Sequence, residues 1–453
     1  MKKICIVGSG LIGSLLAIFL AQAGFEVDVY EKRSDPRKDI KTRGRSIALS
    51  LSDRGWRALR EVGLEAALRP GTNPAYGRIV HQKDGVTYSQ DYGDGSQAIW
   101  TVNRNHLNTA LLKKAAVERG VRFFFEHSCE ILDENTGEIA FVNYGTNEKT
   151  QKRYDHIIGV DGVFSTVRET LLKKNIWSFE SSMLDFGYKE LCIPPDAQGG
   201  YAMADHHVHV WPRKNSMFIS FPANDGYFIS NLFLPLVGED SLESLSTPEA
   251  LMSFFNREYK EVIPITPNFQ EEFWRNPVST ITQVKGGPWH YKDKVLLMGD
   301  AAHAITPFYG MGMNIGFEDC TVLMELLREN NYDFGRAFES MSKFRKPNAD
   351  AMSELSYKNF ASIKESPDLA YHDKWLLERR IWKLFPQSWA PTYVLVAFSH
   401  VPLRDVPAIK ERQDRIVNDL IKANPNILSL PDEQLRSLLL RRAKIDWKVS
   451  VAA

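Results

Sequence analysis

Apolar residues fall along this chain in distinct rhythms, each predicting a different kind of element. Near the start, an apolar run at 4–7 leads into a stretch with no charged residue through Phe25, and then into a second run at 27–30 interrupted only by Asp28. Short runs of this kind bounded by glycine predict buried strands of a parallel sheet, with the segment between them as a helix. From about 78 to 92 and again from about 188 to 235, β-rich pieces such as 218–221 and 227–233 recur with turn residues between them, predicting an antiparallel sheet. Residues 105–120 read as a helix and 121–159 as short strands that belong with the first unit, so two units are interleaved in sequence. After about Pro347 the pattern turns helical, with Trp375, Trp382 and Trp389 among basic and apolar residues. A helix lying on a membrane surface is one reading of that segment. No uncharged run there approaches about 20 residues, which favours packing against the rest of the protein and argues against a transmembrane segment.

Composition narrows the class of protein. At 453 residues, 43% hydrophobic and 25% charged, the chain suits roughly two to three domains with a large core, and it excludes collagen, coiled coil and wholesale disorder. Lys+Arg and Asp+Glu both number 56, so the formal charge is zero and no general electrostatic pull toward nucleic acid or an acidic membrane exists; a local basic patch stays open. The cysteines, Cys5, Cys129, Cys192 and Cys320, lie far apart with no CxxC pair. They suggest reduced, mostly buried thiols, with neither a disulfide framework nor a zinc site.

The amino-terminal stretch admits two readings. Lys2 and Lys3 ahead of an uncharged run that contains Ala21-Gln22-Ala23 resemble an export signal. The same run holds Gly8, Gly10 and Gly13 in the spacing GxGxxG, with Glu31 closing the second apolar run. A dinucleotide-binding βαβ unit needs each of these parts: Gly8 for a tight turn, Gly10 for approach to a pyrophosphate, Gly13 for helix–strand packing, and an acid for a ribose hydroxyl. The nucleotide reading is favoured, and with it a cytoplasmic protein. The basic-rich segment 31–45 that follows is either a lobe facing cofactor phosphates or a solvated loop.

Two more motifs extend the nucleotide unit. The apolar strand at 295–298 runs into Gly299-Asp300-Ala301-Ala302-His303, then Pro307-Phe308-Tyr309-Gly310-Met311-Gly312-Met313-Asn314 and a long helix. A strand ending in Gly-Asp sets a carboxylate at the ligand-binding edge of an open α/β sheet, and the glycines bring a helix N-terminus, which favours negative charge, onto the cofactor. A third piece, Gly159-Val160-Asp161-Gly162 through Arg168, again follows an apolar strand. Three such pieces in this order point to a flavin rather than a nicotinamide cofactor. The fold expected is α/β: a Rossmann-like FAD-binding domain over 1–75, 100–178 and 284–346, interleaved with an antiparallel β-sheet substrate domain over 76–99 and 179–283, and a C-terminal helical region over 347–453.

With GxGxxG, the Asp161-Gly162 pair and the Gly299-Asp300 pair in place, the chain resembles the class A flavoprotein monooxygenases. Gly44-Arg45-Ser46-Ile47, Gly77-Arg78, Asn103-Arg104-x-x-Leu107-Asn108, Gly187-Tyr188-Lys189-Glu190-Leu191, His209-x-Trp211-Pro212 and Pro307-Phe308-x-Gly310-x-Gly312-Met313-Asn314 are similar to the branch of that class that hydroxylates L-kynurenine at ring position 3. The resemblance runs to about Ser399 and is weak beyond it. It implies FAD held non-covalently, NADPH as reductant, O₂ and L-kynurenine as substrates, and oxygen delivered through a flavin C4a-hydroperoxide, with no dedicated catalytic side chain. It also implies that Arg78 and Tyr92 hold the kynurenine carboxylate, a task suited to an arginine fork, and that Asn359 and Tyr393 add polar contacts from the helical region. Phe308, Ile219, Phe221 and Phe233 would wall the ring, although each alone is as well read as core. Arg104 and Asp300 match flavin contacts, as does Arg45 more loosely; His303 reads as structural.

One departure stands out: Tyr309-Gly310-Met311-Gly312 replaces the Phe or His followed by Gly-Gln-Gly common in relatives, which leaves open another amino-aromatic acid as substrate. His207 and His209 share a strand face, but two ligands without a third make a poor metal site. An FAD-dependent isoprenoid reductase, which needs no carboxylate clamp, and a nucleotide-binding scaffold without turnover are the remote alternatives.

Overall fold

The computed structural model describes residues 2–38, 48–364 and 369–442. Its first strand, Lys3–Val7, is flanked by His156–Gly159 and Glu26–Glu31, both parallel to it, and Val295–Leu297 and Val121–Phe125 extend the sheet on either side. A short antiparallel strand, His290–Tyr291, completes six strands at the edge beside Val295–Leu297. Strands covered on both faces can be apolar throughout, and Ile4, Ile6, Ile157, Ile158, Val295 and Leu296 are buried here. The helix Leu11–Gln22 follows directly from Gly10, so its start meets the carboxyl ends of the central strands.

Antiparallel pairing dominates the second, seven-stranded sheet. Its order is Ser279–Gly287, Ser178–Ile193, Phe228–Pro235, Ser216–Pro222, His207–Arg213, Gly77–His81 and Thr87–Asp91, with one parallel pair between His207–Arg213 and Gly77–His81. Alternation splits its side chains between two cores: Trp211, Phe218, Phe228 and Leu232 pack with the helices Pro248–Glu258 and Phe269–Arg275, while Val210, Met217 and Phe233 face the other way.

The later helices close over that second face. Leu377 and Ile381 of the helix Leu369–Leu384 pack with Trp389, with Val417 and Leu420 of Val406–Ala423, and with Leu435 and Leu439 of Asp432–Arg442. Trp389 is buried and Trp382 packs against the same cluster, so these two indoles serve internal packing. No helix among the described residues is long and apolar enough to cross a membrane.

Beneath the long helix Gly312–Glu329 lies a buried ionic network. Arg345 ion-pairs with Glu318 at 2.7 Å and Asp319 at 2.6 Å, His303 Nε2 lies 2.6 Å from Asp319 Oδ2, and Arg54 reaches the other Glu318 oxygen. Burial alone would raise the pKa of Glu318, but Arg345 and Arg54 outweigh it and hold the carboxyl below its usual range. Removing one member leaves a buried charge uncompensated, which costs about 3–5 kcal/mol. Arg345→Met is therefore expected to lower stability by that amount in urea unfolding; a change under about 1 kcal/mol would show that the network contributes little.

Candidate active site

A single cavity of about 1090 Å³ runs from the carboxyl edge of the parallel sheet to the inner face of the antiparallel sheet. That exceeds the roughly 300–1,000 Å³ of a pocket for one small ligand, and leaves room for two.

Backbone geometry shapes the end at the parallel sheet. Gly8 has φ +108° and a Cβ there would sit 2.6 Å from Val160 O; a Cβ on Gly13 would sit 2.0 Å from Gly8 O. Gly10 and Gly312 have nothing within 4 Å of an added Cβ, and both line the cavity. Glu31, at the end of its strand, accepts from Ser9 N at 2.9 Å and Arg33 N at 3.0 Å, which fixes its carboxylate on the cavity rim. Asn103 Oδ1 caps the helix Arg104–Val117 by accepting from Asn105 N and His106 N, and so delivers Arg104 to the wall. Asp161 Oδ2 accepts from Thr166 N at 2.7 Å, while its Oδ1 is buried with no partner among the described residues, and burial pushes its pKa up. Asp300 faces the cavity, as do Gly312 and Met313 at the start of the long helix, whose first turn carries no acid.

Asn314 lies off the wall: it donates to Ser50 O at 2.8 Å and accepts from Ser52 N at 2.9 Å, tying the long helix to the strand Ala48–Leu51. Gly13 also lies behind the wall, as packing. Arg45 falls outside the described residues.

At the other end, the cross-strand neighbours Arg78 and Gln90 are joined by a 2.8 Å bond from Arg78 Nε to Gln90 Oε1. Tyr92 follows that strand, and burial pushes its phenol up to about 12 although Arg78 beside it acts the other way. Tyr393, on the short helix Thr392–Ala397, stacks on Tyr92 with centroids 4.6 Å apart. Asn359 donates to Phe308 O at 2.8 Å, and Phe308 stacks on Phe360. Ile219 and Phe221 alternate along one strand beside Phe233 on the next, and all eight residues expected at this end line the cavity. Of the two departures, Tyr309 lines it, stacking on Tyr393 at 5.9 Å, whereas Met311 is buried against Ile315 and Met352 behind it.

Several wall residues escaped the sequence reading. Asn231 and Tyr188 stand among the apolar wall, and Lys374, Trp375, Glu378 and Arg379 approach from the helix Leu369–Leu384. Arg379 bonds Gly93 O, lies 3.7 Å from Asp91 and covers the Trp382 ring, fastening that helix to the antiparallel sheet. His209, set aside above as a metal ligand, has Nδ1 2.9 Å from His81 Nε2 and Nε2 2.9 Å from Ala204 O, and burial lowers both imidazoles to about 4. Both ring nitrogens are thus engaged within the protein.

Glu378 is held near 7, raised by burial and by Asp414 against the pull of Lys410 and Lys374. Unfolded, it titrates near its ordinary value of 4.5. The folded state therefore binds the extra proton between these values, and stability falls as pH rises through that window, with the full cost present above about 7. Glu378→Gln is expected to raise Tm at pH 8.5 and leave it unchanged near pH 4; equal shifts at both would contradict this origin.

Residues 1–331 match the family described as FAD binding domain. Over 447 residues the chain is 38% identical to a kynurenine 3-monooxygenase of Flavobacterium johnsoniae, covering 97% of this chain and 98% of that one. The chain belongs to the kynurenine 3-monooxygenase family. A member from Anopheles gambiae is 36% identical over 92% of this chain and 86% of its own. Among solved structures, a 2-methyl-3-hydroxypyridine-5-carboxylic acid oxygenase superposes with a TM-score of 0.66 at 20% identity, covering 81% of this chain and 93% of that one, which shows the shared fold. Members of the kynurenine 3-monooxygenase family are flavoprotein monooxygenases, and this chain is one that carries FAD. The residues present fit that group: the orphaned Asp161 Oδ1, the open space at Gly10 and Gly312, and the acid-free helix start offer the donors, acceptors and clearance a dinucleotide needs.

Proposed function

We propose that the chain hydroxylates L-kynurenine to 3-hydroxykynurenine, consuming NADPH and O₂. The observation that carries this reading is the Arg78, Tyr92 and Tyr393 group at the far end of an apolar-walled cavity, in a member of this family. The described residues within 1–75, 100–178 and 284–346 are assigned to the FAD-binding part, those within 76–99 and 179–283 to the substrate part, and those within 347–453 to the helical closure. Gly8, Gly10, Glu31, Arg104, Asp161, Asp300, Gly312 and Met313 hold FAD, with Gly13 and Asn314 setting the backbone behind them; Arg45 is assigned with them from the sequence alone.

Bound FAD supplies the redox and oxygen-activating chemistry. The side chains position and enclose. Arg78, steadied by Gln90, binds the substrate carboxylate through its planar fork, and Tyr92 donates its phenol proton to the same group. Asn359 and Tyr393 complete the polar end. Phe308, Ile219, Phe221 and Phe233 pack on the ring and keep water from the reacting face. A neutral aromatic amine already gives electron density to its ring, so no dedicated base is needed. The four free cysteines suit the reducing cytoplasm, where we place the protein.

The test is NADPH consumption by the purified yellow protein with and without L-kynurenine. Stimulation is expected; its absence, in a protein that retains flavin, would overturn the substrate assignment while leaving the family intact.

A further inference from the structure

The apolar wall around the ring contains a polar side chain that the fold does not use. Asn231 sits mid-strand in Phe228–Pro235, paired with Ile219 on one side and Glu190 on the other. It is 5% exposed, lines the cavity beside Met217, Ile219 and Phe233, and its Oδ1 has no hydrogen-bond partner among the described residues. Its neighbour Ser230, on the opposite face, is satisfied by Ser220 Oγ at 2.7 Å. A buried carboxamide oxygen without a partner weakens a fold, and leucine would fill the same space without that cost. The amide therefore points to a ligand group.

We propose that Asn231 is a specificity-determining residue that reads the ring amine of an ortho-amino aryl ketone. This rests on the kynurenine reading above. In such a molecule one amine N–H closes an internal hydrogen bond to the ketone oxygen, and the other points outward, beside the ring carbon that is hydroxylated. Asn231 Oδ1 accepts from that outward N–H. The contact supplies the missing partner and fixes which edge of the ring is presented, while Arg78 holds the opposite end of the molecule.

A substrate–variant cycle tests this on the FAD-loaded full chain. Equilibrium dissociation constants are measured for L-kynurenine and for the analogue with hydrogen in place of the ring amine, 2-amino-4-oxo-4-phenylbutanoate, with wild type and Asn231→Leu. Wild type is expected to prefer kynurenine at least tenfold, and Asn231→Leu to bring the ratio within threefold while flavin content is retained. A merely structural role would weaken both ligands alike and leave the ratio unchanged, which overturns the proposal. If Asn231→Leu fails to fold, Asn231→Val, which also lacks an acceptor, is read by the same ratio. Wild type that binds kynurenine and the analogue equally sinks the Asn231 proposal alone. Wild type that binds neither sinks the kynurenine reading and this proposal with it.

Discussion

Arg78→Ala is expected to weaken L-kynurenine binding by roughly 3 kcal/mol, about a hundredfold in Kd, with FAD content unchanged. The magnitude follows from losing a charge-assisted, two-pronged contact in an enclosed site rather than a solvent-exposed ion pair. The insensitivity of FAD follows from topology: Arg78 lies on the antiparallel sheet, whereas the glycine turn and Glu31 sit at the edge of the parallel one. Arg78→Lys keeps the charge and loses the fork, so it should fall between. Titration of the flavoprotein with kynurenine, followed by the flavin-to-protein ratio of the same sample, measures both quantities. Flavin lost together with kynurenine affinity would show that Arg78 supports the cofactor instead.

Gly13→Val is expected to abolish the folded flavoprotein, because the new Cβ would stand 2.0 Å from Gly8 O and 2.9 Å from Val160 Cγ2. The Gly8 backbone cannot yield cheaply, because its N donates to Tyr30 O at 2.7 Å, and Val160, whose side chain makes the second contact, is tied to the sheet by a 2.9 Å bond from its N to Val7 O, so relief would disturb the central sheet. Overpacking of this severity costs more than about 3 kcal/mol. Gly10→Ala provides the contrast, since a Cβ there meets nothing within 4 Å and projects into the cavity. It should fold with an unchanged melting temperature in the apoprotein and hold FAD more weakly. A Gly13→Val protein that is yellow and melts like wild type would contradict the packing argument.

These two glycines also show what can be read from the chain alone. The spacing of Gly8, Gly10 and Gly13 has one economical structural meaning, and the parallel strands around it are apolar enough to be read as doubly covered. The antiparallel sheet was legible from the β-rich pieces at 218–221 and 227–233 with turn residues between them, and the helical closure from the helical pattern after Pro347. Asn231 was hidden inside one of those pieces, because a polar residue in an apolar strand looks like an interruption until its face and its missing partner are known. Lys374, Glu378 and Arg379 were hidden for another reason. Which side of the helix Leu369–Leu384 meets the cavity is decided by contacts with segments far away in sequence, such as Gly93 and Asp414, and no local spacing encodes that. Asn314 illustrates the converse: its motif placed it beside the cofactor, whereas its bonds to Ser50 and Ser52 make it a brace behind the wall.

Hydroxylation of L-kynurenine is tested by the organic product formed per NADPH consumed when the flavoprotein turns over under ¹⁸O₂, with H₂O₂ quantified in the same sample. Expected is 3-hydroxykynurenine carrying one ¹⁸O atom, nearly stoichiometric with NADPH, and little peroxide. Stimulated NADPH oxidation that yields peroxide and no hydroxylated product would contradict it, because the apolar wall and the Arg78 end would then be holding the wrong molecule.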